Sequence, residues 1–366
     1  MKAITRFTNA IMEKYLPDPY IFVAILTAIV VGLGMIFTDS SFVDMTIYWG
    51  DGFWGILAFT MQMVIVLAAG HVLANSPLFK KVLSGAASKI KTPSMAIIVV
   101  TFVSLVACWI NWGFGLVIGA LFAKEIARQV RKVDYRLLIA SAYSGMVIWH
   151  GGLAGSIPLS IATEGHVFQD VMGVVDTNTT LFSTYNLFIV LVILFTLPFF
   201  NRFLMPKDED VVEIDPSLIK DEEIILPKPE KNFASISERS YIITGIVGVL
   251  GITYIVYHFA TKGFKLDLNI VNTIFIISGI ILHGTPQRFL AAAQQAIKTT
   301  SGIVFQFPFY AGIMGMMTYS GLGAVMSDWF INISNGTTFY LFTFYAAGLV
   351  NFFVPSGGGQ WTVQAP

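Results

Sequence analysis

Long runs of apolar residues without charge limit the fold of this chain more than any other feature. Six runs approach the length of a membrane span, at 20–37, 52–69, 186–200, 241–260, 268–282 and 303–317. Three more are interrupted by glycine and polar residues, at 95–122, 137–162 and 338–366. Helices satisfy every backbone group within a bilayer, and these runs lack the period-two alternation of a β-barrel. An all-α polytopic membrane protein is therefore predicted.

The composition supports this fold class. Charged residues make up 12% of the chain, about half the share in soluble domains, and the mean hydropathy is +0.72. The apolar runs predict the lipid bilayer as a partner. The formal net charge is zero, so no nucleic acid is expected as a partner. Cys108 is the only cysteine, which excludes an internal disulfide or a cysteine-based zinc site. It lies in an apolar run. No metal site and no cofactor is predicted.

The basic residues predict the topology, because cytoplasmic loops carry an excess of Lys and Arg. Residues 1–19 form a basic amphipathic segment, so the N-terminus is predicted to be cytoplasmic. The loop 38–51 contains three Asp and no base, which places it outside. Two basic stretches must both lie inside, namely 77–94 (Lys80, Lys81, Lys89, Lys91) and the stretch after Phe122 (Lys124, Arg128, Arg131, Lys132, Arg136).

The run 95–122 is therefore cytoplasmic at both ends, yet two full spans of about 20 residues each do not fit into it. A re-entrant hairpin with its turn at 111–115 resolves this conflict. The assignment then places 163–185 and 261–267 outside. Of the 22 Lys and Arg, all but Lys262 and Lys265 become cytoplasmic.

The second half is predicted to repeat the first in inverted orientation. The first repeat is 20–205 with the hairpin 95–122, and a cytoplasmic linker covers 206–240. The second repeat is 241–366, with an opposed re-entrant hairpin that starts at 338 and turns at 355–359. The chain stops seven residues after this tip, so we expect the C-terminal part of the second repeat to be missing and these residues alone not to transport. Inverted repeats with paired broken elements are typical of secondary transporters.

Two amphipathic pieces, 77–91 and 285–298, are predicted to be helices that lie along the membrane surface.

No Asp, Glu, Lys or Arg falls inside a predicted span, so the candidate substrate site consists of glycine and neutral polar residues. Backbone N–H groups in glycine-rich turns and helix N-termini can hold a carboxylate without a formal cation. Gly357–Gly359 follows a proline and is predicted to be a turn and not an ordinary helix. Close helix packing is the alternative explanation for any glycine pair. The candidate substrate-binding residues form three clusters: Asn111, Trp112, Gly113 and Gly115; His150, Gly151, Gly152 and Ser156; Ser356, Gly357, Gly358, Gly359 and Gln360.

Five blocks of the sequence, at 16–19, 49–54, 110–115, 305–312 and 354–359, resemble the bacterial short-chain fatty acid transporters. That family is related to a larger ion-transporter superfamily that includes dicarboxylate and citrate carriers. The resemblance implies uptake of acids such as acetoacetate or butyrate across the bacterial cytoplasmic (inner) membrane. It also implies a scaffold with a mobile domain that carries two opposed hairpins, often in a homodimer. The dicarboxylate carriers have Ser-Asn-Thr at both tips, where this chain has Asn111-Trp112-Gly113 and Ser356-Gly357-Gly358.

Secondary active symport of a short-chain monocarboxylate by alternating access is the predicted function, coupled to H⁺ or Na⁺. A dicarboxylate or other organic-anion carrier of the same superfamily is the alternative. A channel would need a polar stripe or charged rings, and none is visible. An intramembrane protease would need a Gly-x-Ser-Gly nucleophile, which Gly155-Ser156-Ile157 lacks. No catalytic residue is predicted.

The topology can be tested with single cysteines. Cysteines at Lys89 and Arg128 should react with a membrane-impermeant reagent from the same, cytoplasmic side. A cysteine within 330–338 should react from the opposite side. Labelling of the first two positions from opposite sides would refute the hairpin and the inverted repeat.

Overall fold

The computed structural model describes residues 17–219, 226, 228–354 and 356–365. Within these ranges the regular elements are all helices. Six of them are long and apolar enough to cross a membrane: Pro19–Phe37, Leu57–Ala74, Pro93–Ile110, Tyr135–Ala162, Thr184–Phe203 and Tyr241–Lys262. The predicted all-α polytopic membrane protein is confirmed. Most of the predicted segment 1–19, together with Pro355 and Pro366, lies outside the described residues.

 The described part of the chain contains eighteen α-helices and one 3₁₀ helix of eight residues, with further 3₁₀ turns of three residues each. In chain order the helices are α1 (Pro19–Phe37), α2 (Phe42–Gly52), α3 (Leu57–Ala74), α4 (Pro77–Ala87), α5 (Pro93–Ile110), α6 (Trp112–Gln129), α7 (Tyr135–Tyr143), the 3₁₀ helix (Ser144–Gly151), α8 (Ser156–Ala162), α9 (Gln169–Met172), α10 (Thr184–Phe203), α11 (Phe233–Glu238), α12 (Tyr241–Lys262), α13 (Leu268–His283), α14 (Pro286–Ile297), α15 (Ser301–Tyr319), α16 (Leu322–Ile333), α17 (Phe339–Phe353) and α18 (Gly357–Gln364).

The chain divides into two compact units. One unit consists of the described residues of Met1–Thr60 and Gly302–Pro366, and the other is Met61–Ser301. These units do not coincide with the predicted repeats 20–205 and 241–366. The inverted repeat stays a prediction, because a division by compactness does not test an internal symmetry.

Local sequence signals explain where many helices begin. The side chains of Thr92, Asn111, Asp134, Asp267 and Thr285 each accept a hydrogen bond from a backbone N–H in the first turn of the following helix. Proline is the first residue of α1, α4, α5 and α14, where its missing N–H costs no hydrogen bond. The helices α4 and α14 confirm that the amphipathic pieces are helical. Their position along the membrane surface stays a prediction.

Helix α2 corrects one prediction. Its residues were expected to form most of the outer loop 38–51, and the following span was expected at 52–69. Ser41 and Asp44 form a capping box that starts α2, with the Ser41 hydroxyl 2.7 Å from the Asp44 carboxylate. These hydrogen bonds from Ser41 hold the pKa of Asp44 below its ordinary value. The next helix, α3, consequently begins at Leu57, and α16 is a further helix that was not predicted.

Helices α5 and α6 form a helical hairpin that is joined by the single extended residue Asn111. The two arms run antiparallel, because Gly115 packs against Cys108 and Gly119 packs against Ser104. The helical hairpin was expected at 95–122, and its arms extend further, from Pro93 to Gln129. Its re-entrant course in the membrane stays a prediction.

The charged linker was expected to be solvated, but part of it is hydrogen-bonded to the start of α7. Val212 donates its N–H to Asp134 Oδ2 at 2.9 Å and accepts a hydrogen bond from the N–H of Tyr135 at 2.9 Å. Burial acts to raise the pKa of Asp134, but the hydrogen bonds from Arg136, Val212 and Leu137 outweigh it and keep this pKa below its ordinary value. Asp134 therefore fixes the start of α7 and the linker together.

Candidate functional site

Two glycines bring the hairpin tip into backbone contact with α3. A Cβ added at Gly70 of α3 would overlap the backbone N of Phe114 and lie 2.7 Å from Asn111 Oδ1. A Cβ at Gly113 would lie 2.8 Å from the Cα of Leu67. Only glycine allows α3 and the tip to approach this closely.

The span that follows the hairpin is broken beside the tip, as predicted. After α7 the chain forms the 3₁₀ helix Ser144–Gly151 and a turn, and it resumes as α8 at Ser156. The N–H of Leu153 donates to the carbonyl of Trp109 at 2.6 Å. A Cβ at Gly152 would lie 2.7 Å from the Cα of Trp109. The break therefore rests directly on the last turn of α5.

The carbonyl of Gly151 is already occupied by two donors. Trp109 Nε1 and Asn186 Nδ2 each donate to it at 3.1 Å. Neither Trp109 nor Asn186 was among the predicted site residues. Their role is to hold the broken span against α5 and α10, and they leave no free lone pair on this oxygen for a cation.

Three buried polar atoms at the tip have no hydrogen-bond partner in the described part of the chain: Asn111 Nδ2, Trp112 Nε1 and His150 Nδ1. Asn111 is fully buried, and its Oδ1 accepts from the N–H of Phe114 at 2.9 Å, so only the amide donor is left over. The ring of Trp149 links the other two, because its centroid lies 5.3 Å from that of Trp112 and 4.0 Å from that of His150. Buried polar groups are almost always paired, so these unpaired atoms make the tip a candidate binding site.

The predicted glycine-rich turn at 111–115 is wrong in its local structure. Only Asn111 is extended, and Trp112–Gly115 form the first turn of α6. Gly115 packs on the backbone of Cys108, which accounts for the glycine by close helix packing. The polar side chains next to these glycines, and not an open loop, give the tip its chemistry.

The second tip lies in the other compact unit, and its predicted conformation is also wrong. Gly357, Gly358 and Gly359 do not form an irregular turn, because they are the buried first turn of α18. Ser356 is the N-cap, and its Oγ accepts from the N–H of Gly359 at 3.3 Å. The hydrogen bond from Gly359 to the Ser356 cap offsets part of the conformational cost of placing three glycines in one helical turn.

The remaining predicted residues have structural contacts. Gln360 Nε2 donates to the carbonyl of Ala347 at 2.8 Å, and Gln360 Oε1 accepts from Asn351 at 2.8 Å. Gln360 thereby ties α18 to α17. Ser156 is buried as the first residue of α8. The predicted convergence of Asn111 and Ser156 with Ser356 stays a prediction, since Ser356 belongs to the other unit.

A separate cavity of about 440 Å³ lies within the unit Met61–Ser301, at the predicted outer loops. The charged groups in its lining are Glu164, Asp176, Asp267, Lys262 and Lys265. Three carboxylates against two ammonium groups do not favour an anion, so this cavity is a poorer candidate for a carboxylate than the tip. In the described part of the chain, no group of three or more His, Cys, Asp or Glu could hold a metal ion.

Sequence reasoning found the three residues with unpaired atoms but missed the groups that surround them. Trp109 lies inside the apolar run 95–122 and was not singled out as a polar group. Asn186 was also missed. The one sequence signal for its role is that it is an isolated polar residue at the first position of a long apolar run.

Comparison with known proteins gives the family. The model of the short chain fatty acid transporter family matches residues 1–366. A protein of Escherichia coli is 46% identical over 366 residues, and one of Haemophilus influenzae is 44% identical over 372 residues. Each alignment covers 99% of this chain and 83% of the relative, and both relatives carry the name "Putative short-chain fatty acid transporter". No solved structure matches.

The chain belongs to the short chain fatty acid transporter family. It is a multi-pass membrane protein and not an enzyme. The resemblance that five sequence blocks predicted is thereby confirmed.

The seating of the tip can be tested at Gly70. Replacing Gly70 with Ala should displace the tip and destabilise the purified protein by about 1–3 kcal/mol, as overpacking typically does. Gly245→Ala is the matched control. Gly245 lies on α12 in the same unit, and a Cβ added there would meet no atom within 4 Å. Thermal unfolding in detergent measures both. Equal melting temperatures for the two variants would contradict this packing.

Proposed function

We propose that this protein is a secondary active transporter that carries short-chain monocarboxylates, such as acetoacetate and butyrate, by alternating access. Membership of the family supports the substrate class. The site at the hairpin tip supports the recognition of a carboxylate. The superfamily resemblance supports alternating access.

The unpaired donors of Asn111 and Trp112 are the observation that carries this proposal. An amide NH₂ and an indole N–H can only donate, so the ligand must supply acceptors. His150 Nδ1 can serve as donor or acceptor according to its tautomer. A carboxylate offers about four acceptor positions on two oxygens, which suits such a set. Bound substrate would then satisfy groups whose burial otherwise costs free energy.

The absence of charge at the tip favours a monocarboxylate over the dicarboxylate alternative. No Asp, Glu, Lys or Arg occurs in α5 or in the first three turns of α6. One carboxylate can be stabilised there by neutral donors and by the N-terminus of α6. A second buried carboxylate would need compensation that neutral donors at one tip do not supply.

Coupling to a proton is part of the proposal. A monocarboxylate needs only one proton to cross as a neutral unit. Sodium bound by backbone carbonyls is the alternative that the superfamily suggests. The Gly151 carbonyl, at the break beside the tip, is the candidate ligand for sodium. It already accepts hydrogen bonds from the side chains of Trp109 and Asn186. This observation favours the proton.

The proposal also includes the inverted repeat, two re-entrant hairpins, a cytoplasmic N-terminus and a homodimer in the bacterial inner membrane. These features follow from the distribution of basic residues and from the superfamily resemblance.

Uptake into proteoliposomes that contain the natural full-length protein tests the proposed function, with Asn111→Asp as the decisive variant. This substitution keeps the oxygen that caps α6 but replaces the unpaired donor by a negative acceptor. We expect it to weaken transport of labelled butyrate at least about tenfold, since a hydrogen bond to a charged group contributes roughly 1.5–3 kcal/mol. The ligand-free melting temperature of the variant separates this loss from a folding defect, because a buried unpaired carboxylate also costs stability. Asn178→Asp is the control, because Asn178 is exposed in a predicted outer loop.

The same vesicles separate the alternatives. Wild-type protein should accumulate butyrate and acetoacetate, but not succinate, when an inward proton gradient is imposed. Uptake that follows a sodium gradient at fixed pH and ignores the proton gradient would refute proton coupling. Normal uptake by Asn111→Asp would remove the tip from the substrate site.

A further inference from the structure

The first turn of α18 presents backbone donors in a buried place. Ser356 caps this helix through its contact with the N–H of Gly359, which leaves the N–H groups of Gly357 and Gly358. The first N–H groups of a helix have no intrahelical acceptor. All three glycines are buried, so these donors have little access to bulk water.

Tyr310 of α15 lies against this turn within the same compact unit. A Cβ at Gly359 would lie 2.6 Å from Tyr310 Cδ2 and 2.7 Å from Cε2. Cε2 is two bonds from the phenolic oxygen, so the hydroxyl also lies beside the first turn of α18. Glycine at position 359 is what allows this close contact with the ring.

The hydroxyl of Tyr310 is buried, since the residue is 0% exposed. Among the residues that the structure describes, the phenolic oxygen has no hydrogen-bond partner. A phenylalanine would fill the same volume without leaving a polar group unpaired. Packing therefore explains the ring of Tyr310 but does not explain its hydroxyl.

We propose that the first turn of α18 is a binding place for a short-chain acid, where the Tyr310 hydroxyl donates a hydrogen bond to the carboxylate together with the N–H groups of Gly357 and Gly358. The inference rests on the proposed function and adds a substrate-positioning residue to it. A phenolic O–H and two backbone N–H groups are neutral donors, like those at the other tip. They bind an anion without burying a cation, and bound substrate gives the hydroxyl the acceptor it lacks.

Tyr310→Phe tests this assignment, because it removes the hydroxyl alone. A purely structural role predicts unchanged transport from a variant that is at least as stable. A substrate role predicts a ligand-free melting temperature equal to or above that of the wild type, together with a KM for butyrate that rises about 10- to 100-fold. The stabilisation of the protein by added butyrate should weaken in parallel.

Tyr319→Phe is the matched control. Tyr319 lies on the same helix, but its side chain is 56% exposed. This variant should keep both the melting temperature and the KM of the wild type. Gly359→Ala is a second probe, since its Cβ displaces the Tyr310 ring and should also raise the KM.

The outcomes are distinct. A Tyr310→Phe variant with wild-type KM overturns the assignment, and so does one that melts well below the wild type, because its hydroxyl would then be structural. Wild-type protein that neither binds nor transports a short-chain acid would overturn the proposed function, and the assignment with it.

Discussion

Backbone contact at the hairpin tip is the constraint on which the candidate site depends. Gly70, Gly113 and Gly152 each lack the Cβ that would separate α3, the tip and the broken span. The hydrogen bond from the N–H of Leu153 to the carbonyl of Trp109 fixes the break at the same level. Close approach of small residues takes the place of the hydrophobic effect as a source of helix association within a bilayer. The position of every polar group at the tip follows from these contacts.

The same packing decides which polar groups remain available. It occupies the Gly151 carbonyl with two donors and uses Asn111 Oδ1 as a helix cap. The donors of Asn111 and Trp112 are left unpaired in a region without charge. Tyr310 beside the glycines of α18 repeats this chemistry in the other compact unit, again with a neutral donor at a helix N-terminus. Two such places suit a weakly bound anion that must be released again after transport.

Much of the fold could be predicted because apolar length and basic residues report directly on membrane helices. The hairpin was predicted because the basic stretches around Lys89 and Arg128 must both lie on the cytoplasmic side of the membrane. The structure contains a helical hairpin between them. Helix α2 was missed because its capping box, Ser41 and Asp44, resembles an acidic loop. The conformation of Gly357–Gly359 was predicted wrongly because intrinsic propensity takes no account of the Ser356 cap and of the packing against Tyr310. The unpaired hydroxyl of Tyr310 could not be foreseen, since only packing shows which polar atoms lack a partner.

The most direct test of the central claim is a comparison of two ligands of the same shape. Butyramide replaces one carboxylate oxygen of butyrate by an NH₂ donor, which would face the donors of Asn111 and Trp112. Isothermal titration of each ligand into purified protein measures the difference. Recognition by unpaired neutral donors predicts that butyrate binds and that butyramide binds at least about tenfold more weakly, a loss of about 1.4 kcal/mol. Equal binding of the two would contradict recognition of a carboxylate at these donors.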